Sequence, residues 1–199
     1  MGKEELSGRD VWQDYSGKHA GIAEHRFYDV FDNEFEGTNL RIIAKPNEFK
    51  DIYVNVELPP KELNAIYTPP EPIIRHGIIP DYAIVNIETH KRLYVEVKRQ
   101  DGWVEGKPRS AGRGNAHERA CKLFAPGLIN IMRQYGRIEA PALPFWIVFQ
   151  GDITRDPCRV REIHCWFADN SDHFFLWRTN SETNGIIAHF NTKLKHLLF

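Results

Sequence analysis

The run PFWIVFQ, Pro144–Gln150, is the strongest constraint on how this chain folds, because it holds almost no polar residue. A strand with one wet face alternates apolar and polar residues. A near-continuous apolar strand belongs in the middle of a sheet covered on both faces. The rest of the chain must therefore supply flanking strands and two layers of helix. With 199 residues it can bury roughly 70% of its unfolded surface and needs no covalent staples.

The covering elements are legible. Ala23, Phe27, Val30, Phe31 and Phe35 recur at helical spacing and predict a helix over Lys18–Glu36, stopped by Gly37. Leu40–Ala44 and Ile52–Leu58 read as strands, and Pro59–Tyr67 as a short helix with proline in its first turn. Thr68–Gly77 is a proline-stiffened connection. Strands are predicted near Asp81–Ile87 and Arg92–Lys98. A glycine-rich loop, Gly102–Gly114, leads into a helix over Asn115–Tyr135 that Pro126 should kink. Val160–Phe167 and His173–Arg178 read as further strands, and Ile186–Phe199 as a closing helix. The sum is an α/β chain, one domain over residues 1–199, with a mixed central sheet flanked by helices.

Composition narrows the functional classes. The three cysteines (Cys121, Cys158, Cys165) are odd in number and lack Cys-x-x-Cys spacing, which argues for a reducing compartment and against a zinc ribbon. His164 beside Cys165 lacks ligand partners and reads as a strand residue. The opening MGKEELSGRD has no apolar core of signal-peptide type, and no segment approaches a membrane span, so a cytoplasmic protein is expected. Net charge is only −1, but it is unevenly spread. Met1–Asp81 carries 9 Lys/Arg against 15 Asp/Glu, whereas Lys91–Lys122 carries 9 against 4. A basic stretch within a neutral chain can attract phosphates on one face; a solvated charged loop would look the same.

PDYAIVNIETHKRLYVEVKRQ, Pro80–Gln100, raises a chemical question, since a packed hairpin needs neither the acids nor the lysine. On a strand, Leu93, Val95 and Val97 point to the core, while Tyr94, Glu96 and Lys98 share the other face. With the turn centred on Glu88-Thr89, residues whose numbers sum to 177 face each other, and Asp81 falls opposite Glu96. Directly opposed Cβ atoms lie about 4.5–5.5 Å apart. Two carboxylates that close repel unless a cation joins them, and hard oxygens suit Mg²⁺. Such an ion would neutralise the charge gained by a phosphodiester under attack and acidify a water, with Lys98 beside it. An ion pair of Glu96 with Lys98 beside a turn aspartate is the plainer reading of the same residues.

SAGRGNAHERACKLF, Ser110–Phe124, adds residues suited to nucleic acid. Gly112 and Gly114 allow close backbone approach, and Arg113, Asn115 and Arg119 project from a loop and helix start. Arginine matches the major-groove edge of guanine, and asparagine that of adenine. Taken singly, Asn115 could be a plain N-cap and Arg119 a surface ion-pair partner.

In these segments the chain resembles the EcoRI/MunI group of type II restriction endonucleases, nucleases with a Pro-Asp…Glu-x-Lys site, on the MunI side of the group. The resemblance is carried by ELSGR, YDVFDNEFEGT, ETHKRLYVEVKRQDGWVEGK, SAGRGNAHERACKLFAPGL and LPFWIVFQGDITRDPCRVREI, and covers most of the chain. It implies the restriction-endonuclease-like fold, with Asp81 and Glu96 as metal-binding acids and Lys98 as the active-site lysine. It implies that Gly114, Asn115, Ala116 and Arg119 read an inner AATT and that Arg113 reads the outer pair, which favours CAATTG over GAATTC. It also implies Mg²⁺ as cofactor, a homodimer on palindromic double-stranded DNA, four-base 5′ overhangs, and a matching methyltransferase in the host. A structure-selective nuclease of the same fold and a non-catalytic DNA-binding module are the competing readings. The first would not need Arg113, Asn115 and Arg119 beside a glycine-rich loop, and the second would have lost one of the three catalytic residues.

Overall fold

The chain is described by a computed structural model covering residues 21–106, 108, 115–178 and 183–199. Five strands form one sheet in sequence order: β1 (Leu40–Ala44), β2 (Tyr82–Asn86), β3 (Arg92–Arg99), β4 (Phe145–Gln150) and β5 (Phe174–Trp177). The β1–β2 and β2–β3 pairs are antiparallel, and the β3–β4 and β4–β5 pairs are parallel, so the sheet is mixed as expected. Every residue of β4 is buried.

Both faces are covered because side chains alternate along each strand. On one face Leu93, Val95, Val97, Trp146 and Val148 pack beneath α1 (residues 21–34) and the C-terminal helical segment. Phe27 and Phe31 of α1 are fully buried, and Phe31 meets the Trp146 ring edge-on at 5.7 Å. Burying each such side chain is worth about 1.5–3 kcal/mol. On the opposite face Tyr94, Phe145, Ile147 and Phe149 pack against residues of α4 (Pro126–Gly136) and α5 (Pro157–Phe167). Tyr94 therefore lies in a second core, not on a wet surface. Its strand neighbours two and four residues on, Glu96 and Lys98, belong to that same side.

Several sequence expectations need correction. Ile52–Leu58 is a turn run over residues 52–55 followed by irregular chain, not a strand, with Val54 N–H bonded to the Asp51 carbonyl at 3.0 Å. Its alternation has no neighbouring strand to pair with, and strand propensity without a partner decides little. The helix after it shrinks to α2 (Pro60–Leu63), and residues 54–76 are exposed throughout. Val160–Phe167 lies within helix α5. The Asp156 side chain caps that helix by accepting from the Cys158 and Arg159 N–H groups, and Pro157 occupies its first turn. Ile163 and Phe167, four apart, are its buried residues, and His164 is a helix residue. The helix expected over Asn115–Tyr135 is not one kinked rod. It is α3 (Ala116–Arg119), a 3₁₀ segment Ala120–Phe124, and α4, which begins at Pro126. Proline starts a new helix there because its missing N–H costs nothing in a first turn. The last helix begins earlier than expected, as α6 (Thr183–His189), widens into a π-helical turn over Phe190–Leu194 and ends in a 3₁₀ turn, Lys195–Leu198.

Two close backbone approaches fix the ends of the hairpin that carries the acids. Gly77 sits where a Cβ would run into the Phe49 carbonyl oxygen, with the Lys50 backbone 2.6 Å away. Gly77→Ala is expected to destabilise the fold by about 1–3 kcal/mol, since backbone cannot rotate aside as a side chain can. A thermal melt should show Tm lowered by several degrees, and an unchanged Tm would refute the packing argument. At the other end the Gln100 N–H bonds to the Gln150 carbonyl at 3.1 Å, and the Ile153 N–H to the Gln100 carbonyl at 3.1 Å. Gly151, at φ +85°, lies so close that a Cβ would be 2.5 Å from Asp101 Oδ1.

Candidate active site

The β2–β3 ladder pairs Tyr82 with Val95 and Ala83 with Tyr94. That is the register expected from the turn position; one step beyond the end of the ladder at Tyr82, the same register sets Asp81 opposite Glu96. Both carboxylates are buried, Asp81 at 6% and Glu96 at 5% exposure, and the end of β3 brings Lys98 to them. Lys98 Nζ lies 2.5 Å from Glu96 Oε2 and 3.4 Å from Asp81 Oδ2. Asp81 Oδ2 also accepts the Val97 N–H at 2.9 Å.

Sequence reasoning missed two further residues. Lys45 Nζ donates to Asp81 Oδ1 at 2.7 Å and to Glu24 Oε2 of α1 at 3.0 Å. The signal was available in strand pairing. Ala44 is opposite Tyr82, so the next residue, Lys45, falls opposite Asp81, and its N–H bonds to the Asp81 carbonyl at 2.9 Å. Without a register for β1 on β2, nothing in the sequence singles out Lys45.

The electrostatics of the trio differ residue by residue. Burial works against the Asp81 charge, but Lys98, Lys45 and the Val97 N–H outweigh it and hold the carboxyl below its ordinary range. Glu96 is pushed up, by burial first and then by the Asp81 charge, although Lys98 opposes both. Burial also works against the Lys98 ammonium, yet Glu96 and Asp81 more than offset it and raise its pKa. Glu96 and Asp81 thus favour the ammonium form of Lys98.

Two buried carboxylates with only oxygen donors fit a hard divalent cation. Two ammonium groups already lie on those oxygens, which marks the place as one that takes positive charge. Among the described residues no group of three or more His, Cys, Asp or Glu side chains could hold a metal, so Asp81 and Glu96 would share an ion with water and substrate oxygens.

The expected base-reading residues fall partly within the structure. Arg113 and Gly114 lie outside the described residues. Asn115 is exposed and sits at the N-cap of α3, but its side chain makes no capping bond, so the plain cap reading fails. Ala116 opens α3. Arg119 is exposed and, among the described residues, has no ion-pair partner. Short α3 lies against β3, the strand of Glu96 and Lys98.

The whole chain, residues 1–199, matches the family model described as "Type II restriction enzyme MunI". The chain belongs to the MunI family of type II restriction enzymes. A curated relative from Mycoplasma sp, named "Type II restriction enzyme MunI", is 51% identical over 201 residues and is covered end to end, as is this chain. The crystal structure of MunI restriction endonuclease in complex with cognate DNA superposes with a TM-score of 0.81 at 49% identity, covering 94% of this chain and 97% of that one. The MunI-family fold confirms the restriction-endonuclease-like architecture expected from the sequence. Membership also decides among the competing functions: this is a type II restriction endonuclease, a site-specific enzyme, and not a resolvase or an inert binding module.

Proposed function

We propose that the chain is a Mg²⁺-dependent homodimer that hydrolyses phosphodiester bonds in double-stranded DNA at CAATTG, cutting both strands to leave four-base 5′ overhangs. The observation that carries the catalytic part is the pair of buried carboxylates, Asp81 and Glu96, spanned by Lys98. Relatedness to MunI, together with Arg113, supports the outer base pair. Asp81 and Glu96 are the residues that would hold the ion. When bound, the ion supplies charge neutralisation at the scissile phosphate and a more acidic water. Lys98, held as an ammonium, fixes a phosphate oxygen and orients the attacking water. Val97 N–H keeps the Asp81 carboxylate aimed. Asn115 and Arg119 read the inner AATT together with Gly114 and Ala116, and Arg113 reads the outer pair.

A two-fold dimer follows from a palindromic site, since each half-site then meets an identical surface. The enzyme acts as one domain in the cytoplasm, where a matching methyltransferase protects host DNA. Among the described residues no helix is long and apolar enough to cross a membrane.

The direct test is digestion of a sequenced plasmid with Mg²⁺, followed by sequencing of the ends. Cuts confined to CAATTG with 5′ overhangs are expected, and cuts at another sequence would refute the site. Lys98→Ala should lower the cleavage rate by about 10²-fold or more in single-turnover assays, in line with a positioned group at the reacting centre. A loss below tenfold would show that the ammonium only balances charge.

A further inference from the structure

His117 lies within α3, between Asn115 and Arg119, and its side chain is fully buried while those two are exposed. Its Nε2 is 3.0 Å from Glu162 Oε2 of α5. The imidazole stacks on Trp166 of the same helix, with ring centroids 5.4 Å apart and planes 18° from parallel. Glu162 is held in turn by Arg159, whose Nη1 lies 2.8 Å from Oε2 and 3.0 Å from Oε1. Arg159 also reaches back to α3, 3.6 Å from Glu118 Oε1. Burial, with the Arg159 charge, lowers the His117 pKa against the pull of Glu162, so the ring is neutral at pH 7 and donates its Nε2–H.

Two features separate this arrangement from a histidine that merely fills space. First, Nδ1 is buried and has no hydrogen-bond partner among the described residues. A leucine or phenylalanine would fill the position without that penalty, so the polar ring is worth keeping only for the directional bond it makes. Second, α3 cannot hold its own direction. It has four residues and no side-chain cap, and a helix that short is unstable alone. Helix α5 is the opposite, with eleven residues, an Asp156 cap, and Ile163 and Phe167 rooted in the core.

We propose that His117, clamped to Glu162 and stacked on Trp166, is a positioning residue for sequence reading: it ties α3 to α5 and so fixes where Asn115 and Arg119 point. Successive helical residues diverge in direction, so anchoring one side of a single turn sets the aim of the other. This rests on the reading that Asn115 and Arg119 contact bases.

The test compares His117→Phe, which keeps a ring on Trp166 but removes the Nε2–H, with His117→Gln, which keeps an amide donor. Equilibrium binding is measured without Mg²⁺, at fixed salt, on the wild-type enzyme's own preferred duplex and on one with a single inner A·T pair replaced. His117→Phe should lose at least about tenfold in the ratio of the two affinities, the scale of one base contact, while its affinity for unrelated duplex is unchanged. His117→Gln should recover most of the ratio, as a plain packing role would not predict. Glu162→Ala should behave like His117→Phe, and the double variant no worse than either alone. A His117→Phe protein with a wild-type melting curve and a wild-type ratio overturns the proposal. So does an equal loss on all duplexes. If His117→Phe does not fold, an unchanged ratio in Glu162→Ala overturns it. A wild-type enzyme with no sequence preference would instead sink the base-reading assignment itself.

Discussion

Replacing Asp81 or Glu96 by alanine is expected to reduce cleavage by on the order of 10³-fold or more while specific DNA binding persists. The estimate follows from the loss of several kcal/mol of transition-state charge stabilisation at about 1.4 kcal/mol per factor of ten. The two variants should not be equivalent in other respects. Asp81 is bonded to Lys45, Lys98 and the Val97 N–H, whereas Glu96 is bonded to Lys98. Asp81→Ala leaves Lys45 and Lys98 short of a partner, and removing one member of a buried pair costs about 3–5 kcal/mol at full burial. Lys45 is half exposed, so water recovers part of that. Single-turnover cleavage with Mg²⁺ and metal-free binding to the same duplex separate chemistry from recognition. An Asp81→Ala enzyme cutting at a normal rate would dismiss the carboxylate pair as the metal site.

The second large effect is expected at Arg113. If its guanidinium reads the outer guanine, alanine removes about 1–3 kcal/mol of discrimination per contact, and a dimer makes the contact twice. Arg113→Ala should therefore bind CAATTG less tightly yet lose little on sites altered only at the outer pair. Arg113→Lys should not restore the preference, because an ammonium lacks the planar fork. Asn115→Ala should instead relax the inner adenines and spare the outer pair. A binding series with each of the six base pairs varied distinguishes these outcomes. If Arg113→Ala weakens all sites alike, Arg113 contacts phosphate and the assignment of CAATTG loses its residue-level support.

The sequence was most readable where local rules and long-range packing agree. The Pro80–Gln100 hairpin declares its register because a turn and alternating strands leave little freedom, and the observed pairing of Tyr82 with Val95 follows that reading. PFWIVFQ declares a central strand for a similar reason. The reading failed where a local pattern was ambiguous. VREIHCWF can be scanned in twos, but its Asp-Pro start and the four-residue spacing of Ile163 and Phe167 make it a helix. Ile52–Leu58 alternates well yet meets no partner strand. Lys45 was invisible because its role arises only when β1 lies on β2. His117 was passed over because nothing local announces that Glu162, far along the chain, would meet it.

The chain between β3 and β4 has a consequence for how such enzymes diversify. Asn115 and Arg119 are carried on the crossover that leaves β3 just after Lys98, and its start is pinned: Gln100 bonds to Gln150, Ile153 to Gln100, and the Gly102 N–H to Asp152. The crossover returns as β4 beside the strand it left. If Asn115 and Arg119 read the bases and Lys98 serves the cut, recognition and cleavage are parts of one covalent crossover between two neighbouring strands of a single sheet. On that assignment, a lineage that lengthens or re-angles the segment does so between two fixed strand ends and not as a free module. New specificities are then expected first from exchanging the side chains that this crossover displays. A mutational walk toward another recognition sequence is therefore narrow, and close relatives should keep the path while changing only the residues it displays.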